Sequence, residues 1–438
     1  MTRIPKVIVL DDDPTGSQTV HSCLLLTRWD VETLRMGLAD AAPIFFVLTN
    51  TRALAPEAAD RVTREVCQNL KVAIAAESIQ DFLVVSRSDS TLRGHYPIET
   101  DAIAQELEPF DAHFLVPAFF EGGRITRDSI HYLRVNGVET PVHETEFAKD
   151  SVFGYRHSYL PDYVEEKTQG RIAADAVERF LLADIKSGSL ERLMTLAGNA
   201  CVAVDAVQQE DLNRFARDLL AAAARGKRFL FRSAASLLTA LAQLPPQPVP
   251  AEQMGQVVRL GKPGVFIVGS HVKKTTEQLA CLLNELDIVG IEVPVSRLRD
   301  QAEGYASLLQ ETIDKVSLVH AAGQTPVVYT SRVELQFADT ETRLDFGITV
   351  SALLMEIVQG LPRDLGYLVS KGGITSNDVL SKGLTLRTAR ILGQIIPGCS
   401  VVQTPPNHPL FGELPVVLFP GNVGDADGLV MVYRRFCS

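Results

Sequence analysis

The chain has 438 residues, too many for one ordinary core, so two domains of roughly 150 to 250 residues are expected. Its composition, 46% apolar and 22% charged, excludes a disordered chain, and a formal charge of −11 without a long Lys or Arg run excludes non-specific nucleic-acid binding. No stretch approaches 18 apolar residues and the N-terminus runs straight into a short strand, not a signal peptide, so the expectation is a cytoplasmic protein with no membrane partner.

The first apolar run, Val7 to Leu10, ends in Asp11, Asp12 and Asp13, followed by Pro14, Thr15 and Gly16. In an open α/β sheet the carboxyl ends of strands form the ligand crevice, where acids can accept a proton, hold a metal or bind hydroxyls. The spacing Asp11, Asp13, Thr15 also spells the nucleophile motif of haloacid-dehalogenase-type phosphatases. Those enzymes need a later Lys and a pair of acids for magnesium. Gly424, Asp425, Ala426 and Asp427 begin such a pair, but the second acid comes too soon and Leu429 stands four past Asp425, so the match is partial.

The runs Ile44 to Leu48, Phe82 to Val85, His113 to Val116, Ala200 to Val204 and Arg228 to Phe231 alternate with helical patterns, which predicts a largely parallel sheet covered on both faces. Polar groups follow two of these strands: Thr49, Asn50, Thr51 and Arg52 after one, and Arg87, Ser88, Asp89, Ser90, Thr91, Arg93 and Gly94 after the next. On one rim with Asp12 and Asp13 they suit a polyhydroxylated carboxylic acid, because arginines clamp a carboxylate bidentately while Asp and Ser bind hydroxyls. Residues 124 to 169 interrupt the alternation. Asn136-Gly137, between Tyr132 to Val135 and Val138 to Thr140, reads as a two-residue hairpin turn, and an insertion of this length covers a site or makes an interface. His131, His143 and His157 within it have no metal spacing and read as surface or hairpin residues.

Pro245, Pro246, Pro248 and Pro250 mark a stiff linker, which divides the chain into residues 1–243, a linker at 244–254 and residues 255–438. Beyond it Val265 to Val268, Val327 to Tyr329, Tyr367 to Val369 and Val416 to Phe419 repeat the pattern. The expected fold class is therefore α/β, two domains that each carry a largely parallel sheet covered by helices. Thr275 and Gln278 have capping-box spacing, and Leu279, Leu282, Leu283 and Leu286 give the following helix an apolar face. The loops here turn glycine-rich: Gly269-Ser270, then Lys371 to Ser376 with Gly372, Gly373, Ile374 and Thr375, then Pro420-Gly421-Asn422-Val423-Gly424. Glycine lets backbone amides approach a phosphate and each loop opens a helix, which suits a nucleotide polyphosphate. None is a Walker A loop, since the glycine that should precede Lys273-Lys274-Thr275 is missing. The six cysteines, far apart, read as buried small hydrophobes.

Together these segments resemble the four-carbon acid sugar kinases, which phosphorylate compounds such as threonate, erythronate and 3-oxo-tetronate with ATP. The likeness covers nearly the whole chain. Asp12, Asp13, Thr15 and Gly16 match an Asp-Asp-x-Thr-Gly segment, and Arg87 through Gly94 is similar to a Lys-x-Asp-Ser-Thr-x-Arg-Gly segment. Gly122-Gly123-Arg124 through Asn136-Gly137 and Glu144-Thr145 looks like the family's central segment. Gly269-Ser270, Gly372 to Thr375 and Gly421-Asn422 look like its ATP loops. The resemblance implies the acid sugar on the N-terminal domain, ATP with Mg2+ on the C-terminal domain and an active site in the cleft between them.

Under this resemblance Asp12 and Asp13 are the matched pair and Asp11 a neighbour. Asp12 or Asp13, or secondarily Asp89, accepts the hydroxyl proton; Arg52 and Arg87 hold the carboxylate, with Ser88 and Ser90 beside them. Ser270, Gly372, Gly373, Ile374, Thr375, Gly421 and Asn422 face the nucleotide. Two positions depart from the family pattern: Arg87 stands where Lys is common, and Ile374 replaces the Glu of many Gly-Gly-Glu-Thr loops, which leaves the metal ligands unassigned. A phosphatase using Asp11 and a sugar-acid sensor without turnover remain as alternatives, and chain length does not decide whether the protein is a homo-oligomer.

Overall fold

Runs that are apolar at every position, such as Ile44–Leu48, have no face to offer water, and a parallel sheet with helices on both sides is the arrangement that hides them. The computed structural model describes residues 5–107, 109–299, 302–332, 335–337, 339–421 and 423–438. Two compact units divide at Pro246 and Gln247.

The strands of the first unit are β1 (Lys6–Asp11), β2 (Leu24–Leu26), β3 (Ile44–Leu48), β4 (Phe82–Arg87), β5 (Ala112–Val116), β6 (Arg124–Arg127), β7 (Ile130–Val135), β8 (Val138–Pro141), β9 (Glu178–Phe180), β10 (Ala200–Val204) and β11 (Phe229–Ser233). Eight of them form a parallel sheet in the order β2-β3-β1-β4-β11-β5-β10-β9. The chain leaves β1 toward β2 and β3, then returns to lay β4 on the other side. The switch point thus falls between β1 and β4, where the loops diverge and leave a crevice. The helix Gln209–Ala223 shows how the sheet is covered. Its Leu212, Phe215, Ala216 and Leu219 fall on one face and are buried, while the Asp211 carboxylate accepts the backbone N–H groups of Val207 and Gln208 at the helix start.

The insertion folds as a small antiparallel sheet of β6, β7 and β8. Asn136 and Gly137 take φ of 50° and 80°, the left-handed pair that a two-residue hairpin turn demands. His143 and His157 lie at the surface as expected, but His131 is fully buried. Its Nδ1 meets Thr126 Oγ1 at 2.9 Å and its Nε2 the Ser90 carbonyl at 2.8 Å, and burial lowers its pKa to about 4.

The second unit contains β12 (Val265–Val268), β13 (Ile288–Val293), β14 (Thr325–Thr330), β15 (Leu368–Lys371), β16 (Thr388–Ile396), β17 (Cys399–Gln403) and β18 (Pro415–Phe419). Their order is β13-β14-β12-β15-β18-β17-β16, parallel up to β18 and antiparallel beyond it. This sheet also reverses direction once, between β12 and β15. Sequence patterning did not find β13, β16 and β17. β13 is an outer strand of this unit with only two buried residues, and β16 carries a bulge at Gly393.

The helix Lys273–Leu282 forms, but without the expected capping box. Thr275 donates to Ser270 Oγ at 3.1 Å and to the Gly421 carbonyl at 3.2 Å, while the Gln278 amide donates to the carbonyls of Val423 and Asp425 at 3.0 and 2.8 Å. Tertiary acceptors outcompete the local cap. Leu286, beyond the helix end, is exposed instead of joining its apolar face. Residues 251–257, which begin inside the expected linker and run past its end, pack against the C-terminal helix Gly428–Cys437 with Met254 buried. Four cysteines are buried, but Cys281 is half-buried and Cys437 exposed. Among the described residues no helix is long and apolar enough to cross a membrane.

Candidate active site

At the switch point of the first unit β1 delivers Asp11, Asp12 and Asp13 beside the Arg87-Ser88-Asp89 end of β4, with Asp11 in register with Arg87. Three carboxylates so close require cations, and the three differ in how they obtain them. Asp11 is fully buried, one oxygen 3.4 Å from Arg87 Nη1 and the other without a partner among the described residues. Burial, offset only in part by Arg87, raises its pKa to about 7. Asp12 is buried and saturated: Oδ2 accepts from Ser88 Oγ at 2.6 Å and Arg52 Nε at 3.2 Å, and Oδ1 accepts from Arg52 Nη2. Asp13 keeps 21% of its side chain exposed. Its Oδ1 accepts the N–H and hydroxyl of Thr15 and its Oδ2 accepts from Arg52 Nη1 at 3.1 Å. Burial opposes its charge, but Arg52 and Arg87 outweigh that and hold its carboxyl below the usual range.

Arg52 reaches this cluster from the turn Thr51–Ala53 after β3, entered through Asn50 in the left-handed region. Its guanidinium is bound to Asp12 and Asp13 together, so Arg52 has no free fork, whereas Arg87 meets Asp11 only through Nη1 and its buried Nε has no partner among the described residues. Asp89 accepts from Arg93 Nε at 2.9 Å and from the Thr91 hydroxyl, and Arg52 and Arg93 together overcome burial to depress its pKa strongly.

Several residues here escaped the sequence reading. Arg232, at the end of β11, donates to Ser88 Oγ at 2.7 Å, Ser86 Oγ at 2.8 Å and Glu99 Oε2 at 2.5 Å. Glu99 in turn accepts from Thr51 Oγ1 at 2.5 Å, so a buried chain links the arms that carry Arg52, Ser88 and Asp12. Arg232-Ser233 after Phe229–Phe231 repeats the strand-end signal of Arg87-Ser88, which would have found it. Gly94, at φ 128°, lets the backbone pass under this chain: a Cβ there would sit 2.4 Å from Ser88 Oγ and 2.5 Å from Arg232 Nη2. Ser90 is buried, its carbonyl held by His131.

The insertion holds the Asp89 loop from behind. Tyr155 donates to the Thr91 carbonyl at 2.7 Å and Tyr163 to the Leu92 carbonyl at 2.9 Å. It also supplies Arg124, which shares the Phe147 ring with Arg93, their guanidinium carbons 5.9 and 5.0 Å from its centre. Arg124 Nε is buried and has no partner among the described residues. A crevice here is lined by Ser88, Asp89, Arg93, Tyr163 and Arg232. A larger groove of about 310 Å³ lies at the opposite strand edge by Pro5 and Phe82, but its Lys227 is already bound to Asp111 and the Leu196 carbonyl.

In the second unit the switch point gathers the glycine loops. Val268, Lys371 and Phe419 end three adjacent strands in register, so the loops that follow leave side by side. Ser270 is their meeting point: a Cβ on Gly372 would lie 3.0 Å from its Cβ, and one on Gly421 3.4 Å from its hydroxyl. Gly372 itself takes φ 119°, which lets the loop turn under Thr375, and the short helix Gly373–Asp378 starts there. Thr375 is buried, and its Oγ1 stands 2.4 Å from where a Cβ on Gly269 would be. Gly373 opens that helix, and Ile374 projects from it with 68% exposure. Asn422 lies outside the described residues.

Beneath the loops Lys371 is wholly buried, its Nζ 2.5 Å from the Pro420 carbonyl, 3.2 Å from the Gly421 carbonyl and 4.0 Å from the Phe419 ring centre. Burial without a carboxylate partner among the described residues holds its pKa down at about 7. Arg332, after β14, donates to Thr276 Oγ1 at 2.8 Å and has two further buried nitrogens without partners among the described residues. Cations with no carboxylate partner among the described residues, beside half-buried glycine turns, are suited to an anion.

Family comparison agrees with this division of chemistry. A model of a sugar-binding N-terminal domain matches residues 7–241 and one of a nucleotide-binding C-terminal domain matches residues 265–429. The chain is 25% identical over 448 aligned residues to a D-erythronate kinase of Heliobacterium modesticaldum, covering 96% of this chain and 94% of that one. It is 28% identical over 221 residues to a D-threonate kinase of Bordetella bronchiseptica, 49% of each chain. Solved structures from Salmonella typhimurium LT2 and Haemophilus influenzae share the fold at TM-scores of 0.73 and 0.64, each 18% identical and covering 98% of this chain and 99% and 100% of theirs. This chain belongs to the four-carbon acid sugar kinase family, phosphotransferases with a sugar-binding N-terminal and a nucleotide-binding C-terminal domain.

Proposed function

We propose that this chain is an ATP-dependent kinase that phosphorylates a hydroxyl of a four-carbon sugar acid such as erythronate or threonate. The observation that carries the reading is the contrast between the two strand edges. One offers carboxylates interleaved with arginines. The other offers glycine turns over a lysine that no carboxylate among the described residues neutralises.

In this reading the acid lies against the β1 and β4 loops. Arg87 and Arg124, each with a buried N–H to spare, join Arg93 in meeting the carboxylate, while Arg52 sets the field and holds Asp12 and Asp13 in place. Ser88 and Ser90 line the hydroxyl side. The reacting hydroxyl gives its proton to Asp13 as its oxygen bonds to the γ-phosphorus and the bond to the β-phosphate oxygen breaks, releasing ADP. Asp13 is favoured over Asp12 because Asp12 is enclosed and saturated, and over Asp89 because the latter is the more strongly depressed acid. Ser270, Gly372, Gly373, Ile374, Thr375 and Gly421 take the nucleotide, with Asn422 in the same loop. Magnesium would arrive with the nucleotide: among the described residues no group of three His, Cys, Asp or Glu is placed to hold a metal, and Ile374 offers no carboxylate.

The phosphatase alternative requires Asp11 as nucleophile, but that carboxyl is enclosed and partly protonated at neutral pH. A screen for acid-dependent ADP release across four- to six-carbon sugar acids, with each stereocentre inverted, tests the proposal. One stereochemical series of four-carbon acids should release ADP and gain one phosphate per ADP. Hydrolysis of phosphate esters without ATP use would overturn it.

A further inference from the structure

Lys371 sits deeper than any cation placed simply to attract an anion, and its surroundings are specific. It ends the central strand β15, between β12 and β18, with the Gly269-Ser270 turn leaving on one side and the Pro420-Gly421 turn on the other. Two loop carbonyls accept from its Nζ, and the Phe419 ring lies against it. An ammonium has three N–H donors, so one remains beyond those two bonds. The groups facing it are the Cys399 thiol from β17 and the Lys274 ammonium from the helix Lys273–Leu282; no carboxylate among the described residues does so.

We propose that Lys371 is a ligand of the nucleotide's terminal phosphates, donating its remaining N–H to a phosphate oxygen and binding a proton as the polyphosphate arrives. The inference rests on the nucleotide reading of this edge. A buried lysine with another lysine nearby and no acid is poorly stabilised as a cation, and the incoming phosphate supplies the missing negative charge. The free site therefore holds Lys371 partly neutral, in line with its depressed pKa of about 7, and the occupied site holds it charged. Arg332, by contrast, stays charged throughout and contributes only a fixed field.

The test is titration calorimetry of the full chain at pH 8 with magnesium and a non-hydrolysable ATP analogue, in buffers of different ionisation enthalpy. Near pH 8 a group of pKa about 7 is mostly deprotonated, so the wild type should take up about 0.9 proton per analogue bound. Lys371→Met, nearly isosteric and free of a buried charge, should abolish the uptake and weaken analogue binding roughly 10- to 100-fold while leaving adenosine affinity within about twofold. A lysine that only ties the Pro420 and Gly421 carbonyls would affect adenosine and analogue alike, and that result overturns the inference. Wild-type chain that binds the analogue with no proton uptake also overturns it, whether or not the variant folds. If the wild type binds neither nucleotide nor nucleoside, the nucleotide reading itself fails as well.

Discussion

Asp12 and Asp13 are adjacent in sequence and share Arg52, yet removing their charges should have opposite signatures. Asp12→Asn places an amide N–H against Arg52 or Ser88 inside a closed network. Losing one partner of a buried ion pair costs about 3–5 kcal/mol, and because Arg52 retains Asp13 the lower end, about 3 kcal/mol, is expected. At roughly 2–4 °C per kcal/mol for a unit of this size, the melting temperature should fall by about 6–12 °C. Asp13→Asn leaves Arg52 bound to Asp12, and the new amide oxygen still accepts from Thr15, so about 1 kcal/mol or less is lost. Its turnover, however, should drop about 10²- to 10⁴-fold if Asp13 takes the hydroxyl proton. Thermal melts with and without substrates, paired with coupled ADP-release kinetics, separate the two. An Asp13→Asn enzyme within tenfold of wild-type turnover, or one that melts below Asp12→Asn, would refute the reasoning.

Asp11 gives a pH signature. Its folded pKa of about 7 exceeds the ordinary 3.8, so between these values the folded chain holds more protons than the unfolded one and stability falls as pH rises. At 1.36 kcal/mol per unit the full effect is roughly 4 kcal/mol. The gap between the melting temperatures of Asp11→Asn and wild type should therefore shift in favour of the variant from pH 4 to pH 8, and a constant gap would contradict the assignment. Gly94→Ala forces a Cβ onto Ser88 and Arg232 in a strained φ region, and a loss of about 2 kcal/mol or more, some 4–8 °C by differential scanning fluorimetry, should follow. Arg124→Met should raise the KM for the acid about 10- to 100-fold with little change in kcat, as expected for a contact equally strong in ground and transition states. An unchanged KM would remove Arg124 from the site.

The parallel core was legible because fully apolar runs such as Ile44–Leu48 and Phe229–Phe231 are incompatible with a solvated face. The hairpin at Asn136-Gly137 was legible because few residue pairs accept its backbone. Polar residues at strand ends marked both switch points in advance, so the acids of β1 and the glycine turns of the second unit could be named before any geometry. What sequence did not reveal was who pairs with whom. Arg52, Arg87 and Arg232 look alike as strand-end arginines, and only the fold decides that one bridges two acids, one faces Asp11 and one lies in a buried chain with Glu99. β16 and β17 escaped notice because this hairpin mixes polar residues and Gly393 among its apolar ones and so shows no unbroken apolar run, and Thr275 and Gln278 because the partners that override their local cap lie some 145 residues away.

The manner in which Asp89 is hung has an evolutionary consequence. Asp12 and Asp13 leave the sheet directly, whereas the loop bearing Asp89 is suspended by Tyr155 and Tyr163 from the insertion. Lineages can therefore lengthen, shorten or re-anchor that insertion, and so admit a longer or differently configured acid, while the sheet that presents the other two acids is inherited intact. Changes in the diet of such an enzyme should accumulate between residues 124 and 169 before they touch β1.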